Sequence, residues 1–306
     1  MKSILLSMFD AVAQGSLWGI MAVGIFITFR ILDEADMTVD GSFAFGSAIS
    51  AVVITKFAMN PFLALFISFI GGMLAGLITG ILHTKLKIPT ILAGILTMLA
   101  LYSINIRIMG RPNTSMGNSE TVVTVIQNII NTNQNVIYLI LGIIFGGAII
   151  GILYWFFGTE IGSIIRATGN NENMVRAQGF DTDYAKIISF MFANGIVALS
   201  GGLVAQTQSY ADVNIGIGAL AVGLASIIIG ELFVKSDSSF FTRLSFVIIG
   251  SVIYRLVISI VLQLGLKTDD LKLLTSITII LAIVGMRFKE KLSFNNKKGV
   301  SKNFKA

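Results

Sequence analysis

Oxygen-bearing side chains are concentrated in one short stretch, just before an apolar segment that is rich in glycine and phenylalanine. They are Asp36, Thr38, Asp40 and Ser42. At the mouth of an apolar segment these oxygens can line a path for a solute, and Phe43 and Phe45 behind them are candidates for a hydrophobic gate. The alternative is a solvated turn that only caps the segment, because Asp40 before Gly41 is a typical N-cap arrangement.

A few polar side chains also lie inside long apolar runs. They are Asn105, Asn194, Gln206, Gln208 and Ser226. Polar groups within a membrane are costly, and they usually face the interior of the bundle or a water-filled cavity. We therefore predict that Asn194, Gln206 and Gln208 line the same path as the oxygen-rich stretch. Asn194 and Gln206 have an alternative role, which is to hydrogen-bond between helices.

Arg255 is a charged residue in the middle of an apolar run. A lone arginine in hydrocarbon needs a partner or water. Glu231, at the end of the preceding run, is the nearest acid in the sequence, so we predict a buried pair of Glu231 and Arg255. Contact between Arg255 and a substrate carboxylate is the alternative.

Residues 162–179 form a polar island between two long apolar runs. Asn170 and Asn171 are good N-cap residues, and Gly179 stands where a glycine would end a short helix. The spacing predicts about two turns of helix on the membrane surface, with Met174, Val175 and Gln178 on one face. Such a helix would present Arg176 to a partner in the water. An ordinary interfacial helix that only connects two spans is the alternative.

The composition shows which elements must position these residues. The chain has 306 residues, of which 55% are hydrophobic and 12% are charged, and its mean hydropathy is +0.85. A soluble domain has about twice this charged fraction, so we predict an all-α, polytopic transmembrane helical bundle. We expect about nine spans, within a range of eight to ten. The nine apolar segments are about 11–29, 41–58, 61–82, 88–106, 136–157, 187–207, 215–233, 244–264 and 272–286.

The distribution of Lys and Arg predicts the orientation. Seven of the 22 lie after Met286, so we predict a single transmembrane domain over 1–290 and a basic cytoplasmic tail over 291–306 that contacts anionic lipid. Counting spans backwards places the loops at 83–87, 158–186 and 234–243 on the same side as the tail. The segments 41–58 and 215–233 are short, and if either is re-entrant the side of the N-terminus changes, so that side stays open.

Two stretches of the chain begin alike. Ala35-Asp36 follows the first apolar segment, Ala211-Asp212 follows the sixth, and glycines are spaced similarly after both. An odd number of spans separates the two stretches, so they would be inverted copies, an arrangement in which the solute path runs where the copies meet. Chance similarity is the alternative.

Several kinds of chemistry are excluded. The chain has no cysteine and one histidine, His83, which we predict to be a solvated residue in a surface turn, so multi-histidine and thiolate metal sites are absent. No phosphate-binding Gly-x-x-x-x-Gly-Lys-Ser/Thr loop occurs, so this chain does not hydrolyse ATP itself. We expect no enzyme activity, no metal, no cofactor on this chain and no nucleic-acid partner.

The polar island resembles the cytoplasmic coupling loop of ABC importer permeases that serve branched-chain amino acids and ribose-type sugars. The resemblance rests on Gly162, Arg166-Ala167, Gly169, Asn171, Ala177 and Gly179; Ser163 and Glu172 stand where the family often has Arg and Pro. Residues 35–43, Ala-Asp-Met-Thr-Val-Asp-Gly-Ser-Phe, are similar to the signature of the subgroup for tryptophan-like and other hydrophobic amino acids.

This resemblance implies a dimer of this chain in the bacterial plasma membrane, with two separate ATPase subunits that bind ATP and Mg and an extracellular binding lipoprotein. It assigns the contact with the ATPase to Arg166, Gly169, Asn171, Glu172, Met174, Arg176, Gly179 and Phe180. Alternating access would then be driven through residues 158–186, named here the coupling loop. A sugar or nucleoside importer, an ATP-independent carrier and a membrane scaffold are the alternatives.

Overall fold

The computed structural model describes residues 2–117, 119–130, 132–235, 238–265, 270 and 273–285, with side chains from Leu6 onwards. The predicted tail at 291–306, and the end of the domain at 290, lie outside these residues. The helices are α1 (Lys2–Phe26, continued by a π-helix over Ile27–Ile31), α2 (Thr38–Thr55), α3 (Pro61–Thr84), α4 (Thr90–Met109), α5 (Val122–Ile130), α6 (Gln134–Phe157), α7 (Glu160–Asn170), α8 (Glu172–Ala177), α9 (Thr182–Gln208), α10 (Ala219–Phe233), α11 (Phe240–Gln263) and α12 (Leu273–Gly285).

The all-α membrane bundle is confirmed. Seven of the helices are long and apolar enough to span a membrane, and α10 and α12 are shorter apolar helices in the places of the seventh and ninth predicted segments. Two three-residue strands, β1 (Asn113–Ser115) and β2 (Tyr210–Asp212), pair antiparallel with Thr114 opposite Ala211. They connect loops that lie far apart in the sequence.

Helix boundaries follow local capping chemistry. Pro61 occupies the first turn of α3, where its missing N–H costs nothing, and the side chain of Asn60 accepts a hydrogen bond from Phe62 N. Thr159 caps α7 and Asp181 caps α9 in the same manner. Gly110, with φ of +79°, ends α4 in the left-handed conformation that favours glycine.

The bundle has two ends, which we name by what they carry. At the loop end, Lys85 and Lys87 of the α3–α4 turn lie 3.7 and 3.5 Å from Asp183 Oδ2 at the start of α9. Phe240, at the start of α11, contacts Phe157 at the end of α6, with ring centroids 5.2 Å apart. The loops at 83–87, 158–186 and 234–243 therefore share one end, as predicted.

The opposite end, the hairpin end, carries β1 and β2. There Lys56 Nζ, just after α2, donates a hydrogen bond to Ile108 O near the end of α4 at 2.8 Å. Ser259 Oγ near the end of α11 donates to Ser7 O in α1 at 3.5 Å, so α1 also begins at this end. Since α2 starts beside the loop end and finishes at the hairpin end, it crosses the bundle and is not re-entrant.

Helices α1, α2 and α9 form the most buried part of the bundle, and α3, α4, α6 and α11 surround them. Glycines allow close contact at this centre. A Cβ on Gly72 or Gly76 of α3 would collide with the backbone carbonyls of Asn194 and Phe190 in α9. Gly147 of α6, in contrast, has no atom within 4 Å of such a Cβ, so that helix face contacts nothing among the described residues.

The two Ala-Asp stretches occupy equivalent places in opposite orientation, as the inverted repeat predicts. Asp36 Oδ1 accepts a hydrogen bond from Thr38 N at 2.9 Å, and Asp212 Oδ1 accepts one from Asn214 N at 2.6 Å. Residues 32–37 lead from the loop end into α2, whereas residues 209–218 lead from the hairpin end into α10. The packing is also matched, because α3 packs on α9 as α11 packs on α1.

Candidate functional site

A buried hydrogen-bonded cluster joins the start of α2 to the middle of α9. Asn194 Nδ2 donates to Asp36 Oδ2 at 2.6 Å, and Asn194 Oδ1 accepts from Ser42 Oγ at 2.7 Å. Asp36, Ser42 and Asn194 are each at most 1% exposed. The structure therefore brings together three of the predicted path residues, and here they use their polar atoms on one another.

Two threonines that the sequence analysis missed extend this cluster. Thr38 Oγ1 lies 2.7 Å from Thr79 Oγ1 of α3, and Thr79 donates to Thr97 Oγ1 of α4 at 2.9 Å. All three hydroxyl groups are buried. The sequence does show threonines inside apolar segments, and these could have indicated the cluster. However, a threonine in a helix often hydrogen-bonds to its own backbone, so its presence alone does not indicate a contact between helices.

Asp40 does not cap its own helix, which corrects the N-cap interpretation. Helix α2 begins at Thr38, so Asp40 lies inside its first turn. Its carboxylate instead accepts hydrogen bonds from two backbone N–H groups at the start of α10, Gly218 N at 2.9 Å and Leu220 N at 2.8 Å. This places a carboxylate at the positive end of a helix dipole, and it joins α2 and α10, which follow the two Ala-Asp stretches.

The two candidate gate residues contact different neighbours. Phe43 is fully buried, and its backbone carbonyl packs against Gly201 of α9. Its ring contacts Trp18 of α1 in a tilted arrangement, with ring centroids 4.9 Å apart. Phe45 is partly buried, and its ring lies beside Gly71 of α3. The two rings therefore do not meet in this conformation.

Gln206 fastens the hairpin end of the bundle. Its Nε2 donates to Ser50 Oγ and to Pro61 O, both at 3.0 Å, and its Oε1 accepts from Val122 N at 2.8 Å. Gln206 thus has the interhelical role that the sequence left open. Gln208 Oε1 is buried without a hydrogen-bond partner among the described residues.

The predicted pair of Glu231 and Arg255 is wrong. Glu231 Oε1 accepts a hydrogen bond from Arg30 Nε at 2.7 Å, at the loop end. The guanidinium carbon of Arg255 lies 4.3 Å from the centroid of the Trp18 ring, a cation–π arrangement. Because α10 ends where α11 begins, an acid at the end of α10 cannot reach a residue deep in α11.

The coupling loop forms two helices that contact the rest of the bundle. Arg166 of α7 donates to Phe157 O at 2.8 Å and is exposed. Gly169 packs so closely on Ile31 O, at the end of the π-helix, that a Cβ there would collide with it. The loop end of α1 therefore rests directly on the coupling loop.

Helix α8 has the caps that the sequence predicts. Asn171 Oδ1 accepts from Met174 N at 3.0 Å, and Gly179 follows the helix with φ of +87°. The predicted shared face is wrong, because Val175 is buried whereas Met174 and Gln178 are exposed. Adjacent residues of an α-helix are rotated by about 100° from each other, so Met174 and Val175 do not share a face.

Arg176 is held by neighbouring side chains of the coupling loop. Its guanidinium donates to Glu172 Oε1 at 2.7 Å, to Thr182 Oγ1 at 2.7 Å and to Asp183 Oδ1 at 3.1 Å. Its side chain is still half-exposed. Arg176 therefore stiffens the connection between α8 and α9 in addition to facing the water.

Lys186, which the sequence analysis missed, is nearly buried beside Arg176. Its Nζ lies 3.0 Å from Glu172 Oε2 and 3.1 Å from Glu34 Oε1. His83 is not a solvated surface residue, because its ring is mostly buried with Nε2 3.5 Å from Glu34 Oε1. A cavity of about 420 Å³ lies beside this group, and its lining includes His83, Glu172 and Lys186. A second cavity, of about 450 Å³, lies at the junction of α6 and α7.

The electrostatics of this group keep both carboxyl groups ionised. Burial alone would raise the pKa of Glu34, but hydrogen bonds with His83, Thr90 and Lys186 outweigh it and lower that pKa to about 2. Burial likewise opposes ionisation of Glu172, yet hydrogen bonding to Lys186 holds the pKa of Glu172 below its usual value. Among the described residues, no group of three His, Cys, Asp or Glu side chains can hold a metal ion.

Comparison with known proteins identifies a family. The family model described as branched-chain amino acid transport system, permease component, matches residues 7–284. A tyrosine transport system permease protein of Clostridioides difficile is 38% identical over 293 residues, which cover 96% of each chain. An uncharacterised protein of Rickettsia prowazekii is 30% identical over 270 residues, 87% of this chain and 93% of that protein.

A ribose import permease protein of Haemophilus influenzae is 27% identical over 223 residues, 71% of this chain and 66% of that protein. No solved structure matches the chain significantly. The matched range includes both the oxygen-rich stretch and the coupling loop. The chain belongs to the permease family of branched-chain amino acid transport systems, and it is a multi-pass ABC importer permease, a transport subunit rather than an enzyme.

Proposed function

We propose that this chain forms the membrane path of an ATP-driven, binding-protein-dependent importer, and that α8 docks on a separate ATPase subunit. The observation that carries the proposal is the surface of the coupling loop. Met174 and Phe180 expose 46% and 48% of their surface, next to charged residues at the loop end. Apolar side chains in such a polar setting are typical of a protein interface. The loop end is then cytoplasmic, and the chain works as a dimer with two ATPases, which bind ATP and Mg.

We propose an aromatic or other hydrophobic amino acid as the solute, delivered by an extracellular binding lipoprotein. The tyrosine transport permease, similar over 96% of both chains, supports this class. The ribose import permease is less similar over a smaller share of both chains, so a sugar is the second candidate. Alternating access would change how the inverted repeats meet, at Asp36, Asp40 and Asn194.

Purification and uptake test this proposal together. The tagged chain, expressed with its own neighbouring genes, should retain an ATPase and should support ATP-dependent uptake of labelled tyrosine. The double variant Met174→Glu/Phe180→Glu should lose both, since it puts two charges into the apolar docking surface.

Ile129→Glu is the matched control, because Ile129 is an exposed apolar residue of α5 in the part of the chain that meets the hairpin end. This control should retain the ATPase. Tyrosine uptake by vesicles that hold the chain without any ATPase would refute the proposal in favour of a secondary carrier. ATP-dependent uptake of labelled ribose but not of labelled tyrosine would replace the amino acid with a sugar.

A further inference from the structure

The coupling loop and the start of α2 share one buried cation. Lys186 Nζ contacts Glu172 Oε2 of α8 at 3.0 Å and Glu34 Oε1 at 3.1 Å, and only 11% of its side chain is exposed. Lysine is almost never buried unless it is paired. The two carboxylate partners are therefore what stabilises the ammonium group of Lys186 in its buried position.

The two acids belong to different segments of the chain. Glu172 lies in the first turn of α8, which carries the proposed docking surface. Glu34 lies in residues 32–37, two residues before Asp36, whose carboxylate fixes the first turn of α2 through Thr38 N and reaches Asn194. One short chain of contacts, Glu172–Lys186–Glu34, thus connects the docking helix to the hydrogen-bonded cluster.

The surroundings hold Glu34 in this position from several helices. Thr90 of α4 donates to Glu34 Oε2, and His83 Nε2 of α3 lies near Oε1. The backbone N–H of Glu34 donates to Thr28 O at 2.9 Å. A displacement of Glu34 must therefore carry residues 32–37 with it, because the side chain and the backbone are both tied.

We infer that Lys186 is a positioning residue that makes α8 and residues 32–37 move as one unit, so that movement of the docked ATPase reaches the start of α2. This inference rests on the proposed function. If α8 moved alone, Lys186 would keep its buried position in α9 but lose one of its two carboxylate partners, and a buried charge that loses a partner is costly. Movement of both elements together keeps every contact.

The test compares variants of the assembled importer in proteoliposomes, with tyrosine-loaded binding protein as the stimulus. Lys186→Met should still purify with the ATPase, since its Nζ faces inward, but stimulation of ATP hydrolysis by the loaded binding protein should fall about 5-fold or more, the lower end of typical coupling between sites. Lys186→Arg, which keeps the charge, should restore most of the stimulation. Lys87→Met is the matched control, because Lys87 is 68% exposed and its ion-pair partner among the described residues is Asp183.

Two further variants protect the test against misfolding of Lys186→Met. Glu172→Gln removes one carboxylate contact of Lys186, and Glu172 is the more exposed of its two partners. This variant should also lower the stimulation of ATP hydrolysis by the loaded binding protein. Lys186→Met/Glu34→Gln should be no worse than Lys186→Met, because both changes break the same connection. Normal stimulation in Lys186→Met, or in Glu172→Gln if Lys186→Met does not fold, would overturn the inference alone. A wild-type chain that retains no ATPase would refute the proposed function itself.

Discussion

The carboxylate of Asp40 connects α2 of the first repeat to α10 of the second, and a single substitution can test this connection. It accepts hydrogen bonds from Gly218 N and Leu220 N at 2.9 and 2.8 Å, and both donors belong to the first turn of α10. Asp40→Asn keeps the size of the side chain but replaces one oxygen by an NH2 group. That group faces one of the two N–H donors, so one hydrogen bond is lost and the α10 dipole loses its anion.

The expected loss is about 2 kcal/mol. A hydrogen bond to a charged group contributes about 1.5–3 kcal/mol, and an anion at a helix N-terminus adds about 0.3–1 kcal/mol. The partial burial of the charge in the folded protein offsets part of this gain, which favours the lower half of the sum. For a chain of 306 residues, 2 kcal/mol corresponds to a decrease of about 3 °C in the unfolding midpoint.

The assay is thermal unfolding of the detergent-purified protein, followed by tryptophan fluorescence and by size-exclusion chromatography. Asp212→Asn is the control, because Asp212 accepts a hydrogen bond only two residues away, from Asn214 N in the loop at the hairpin end, where asparagine serves as well as aspartate. The control should change the midpoint by about 1 °C or less. Equal decreases for the two variants would refute the claim that Asp40 joins the repeats.

Three further predictions compare substitutions that should have contrasting outcomes. Gly76→Val should prevent close packing of α3 on α9 and lower the yield of folded protein, whereas Gly147→Val should be tolerated; equal yields would contradict the packing at Gly76. Arg255→Leu and Glu231→Leu should lower stability additively, each by about 2 kcal/mol or less, since the two residues have different partners; coupling in a double-mutant cycle would restore the rejected pair. Glu34→Gln should be less stable than the wild type near pH 6. Because the folded pKa of Glu34 is lowered to about 2, this difference should be complete above about pH 4.5, the unfolded pKa, and should vanish as pH falls towards 2; a difference independent of pH would exclude the carboxylate as its source.

The features that could be predicted from the sequence depend on residues that lie close together along the chain. Long apolar runs can only be helices in a membrane, because every backbone polar group must be satisfied within the segment. The caps of α8 were predictable as well, since Asn171 and Gly179 act on residues only a few positions away. The inverted repeat was visible because the Asx turns at Asp36 and Asp212 require the same residue types in both copies.

Partners that lie far apart in the sequence could not be predicted. Lys186 meets Glu34 across 152 residues, and Asp40 meets Gly218 across 178. The nearest acid in the sequence misled the assignment of Arg255, because α10 and α11 are antiparallel. Arg255 lies 15 residues after the start of α11, or about 22 Å along a helix, from the end where Glu231 is found.

The same contacts indicate which part of the bundle can move. Asn194 fastens α2 to α9, and Asp40 fastens α2 to α10 with two charge-assisted bonds. Releasing either contact would leave a carboxylate buried among groups that can no longer satisfy it, which is costly in a medium without water. Helix α2 is therefore expected to move together with α9 and α10 rather than past them. The non-helical residues 32–37 remain as the segment that can change its backbone angles without losing a helix. The contact between Glu34 and Lys186 is one of those that restrain this segment at the loop end.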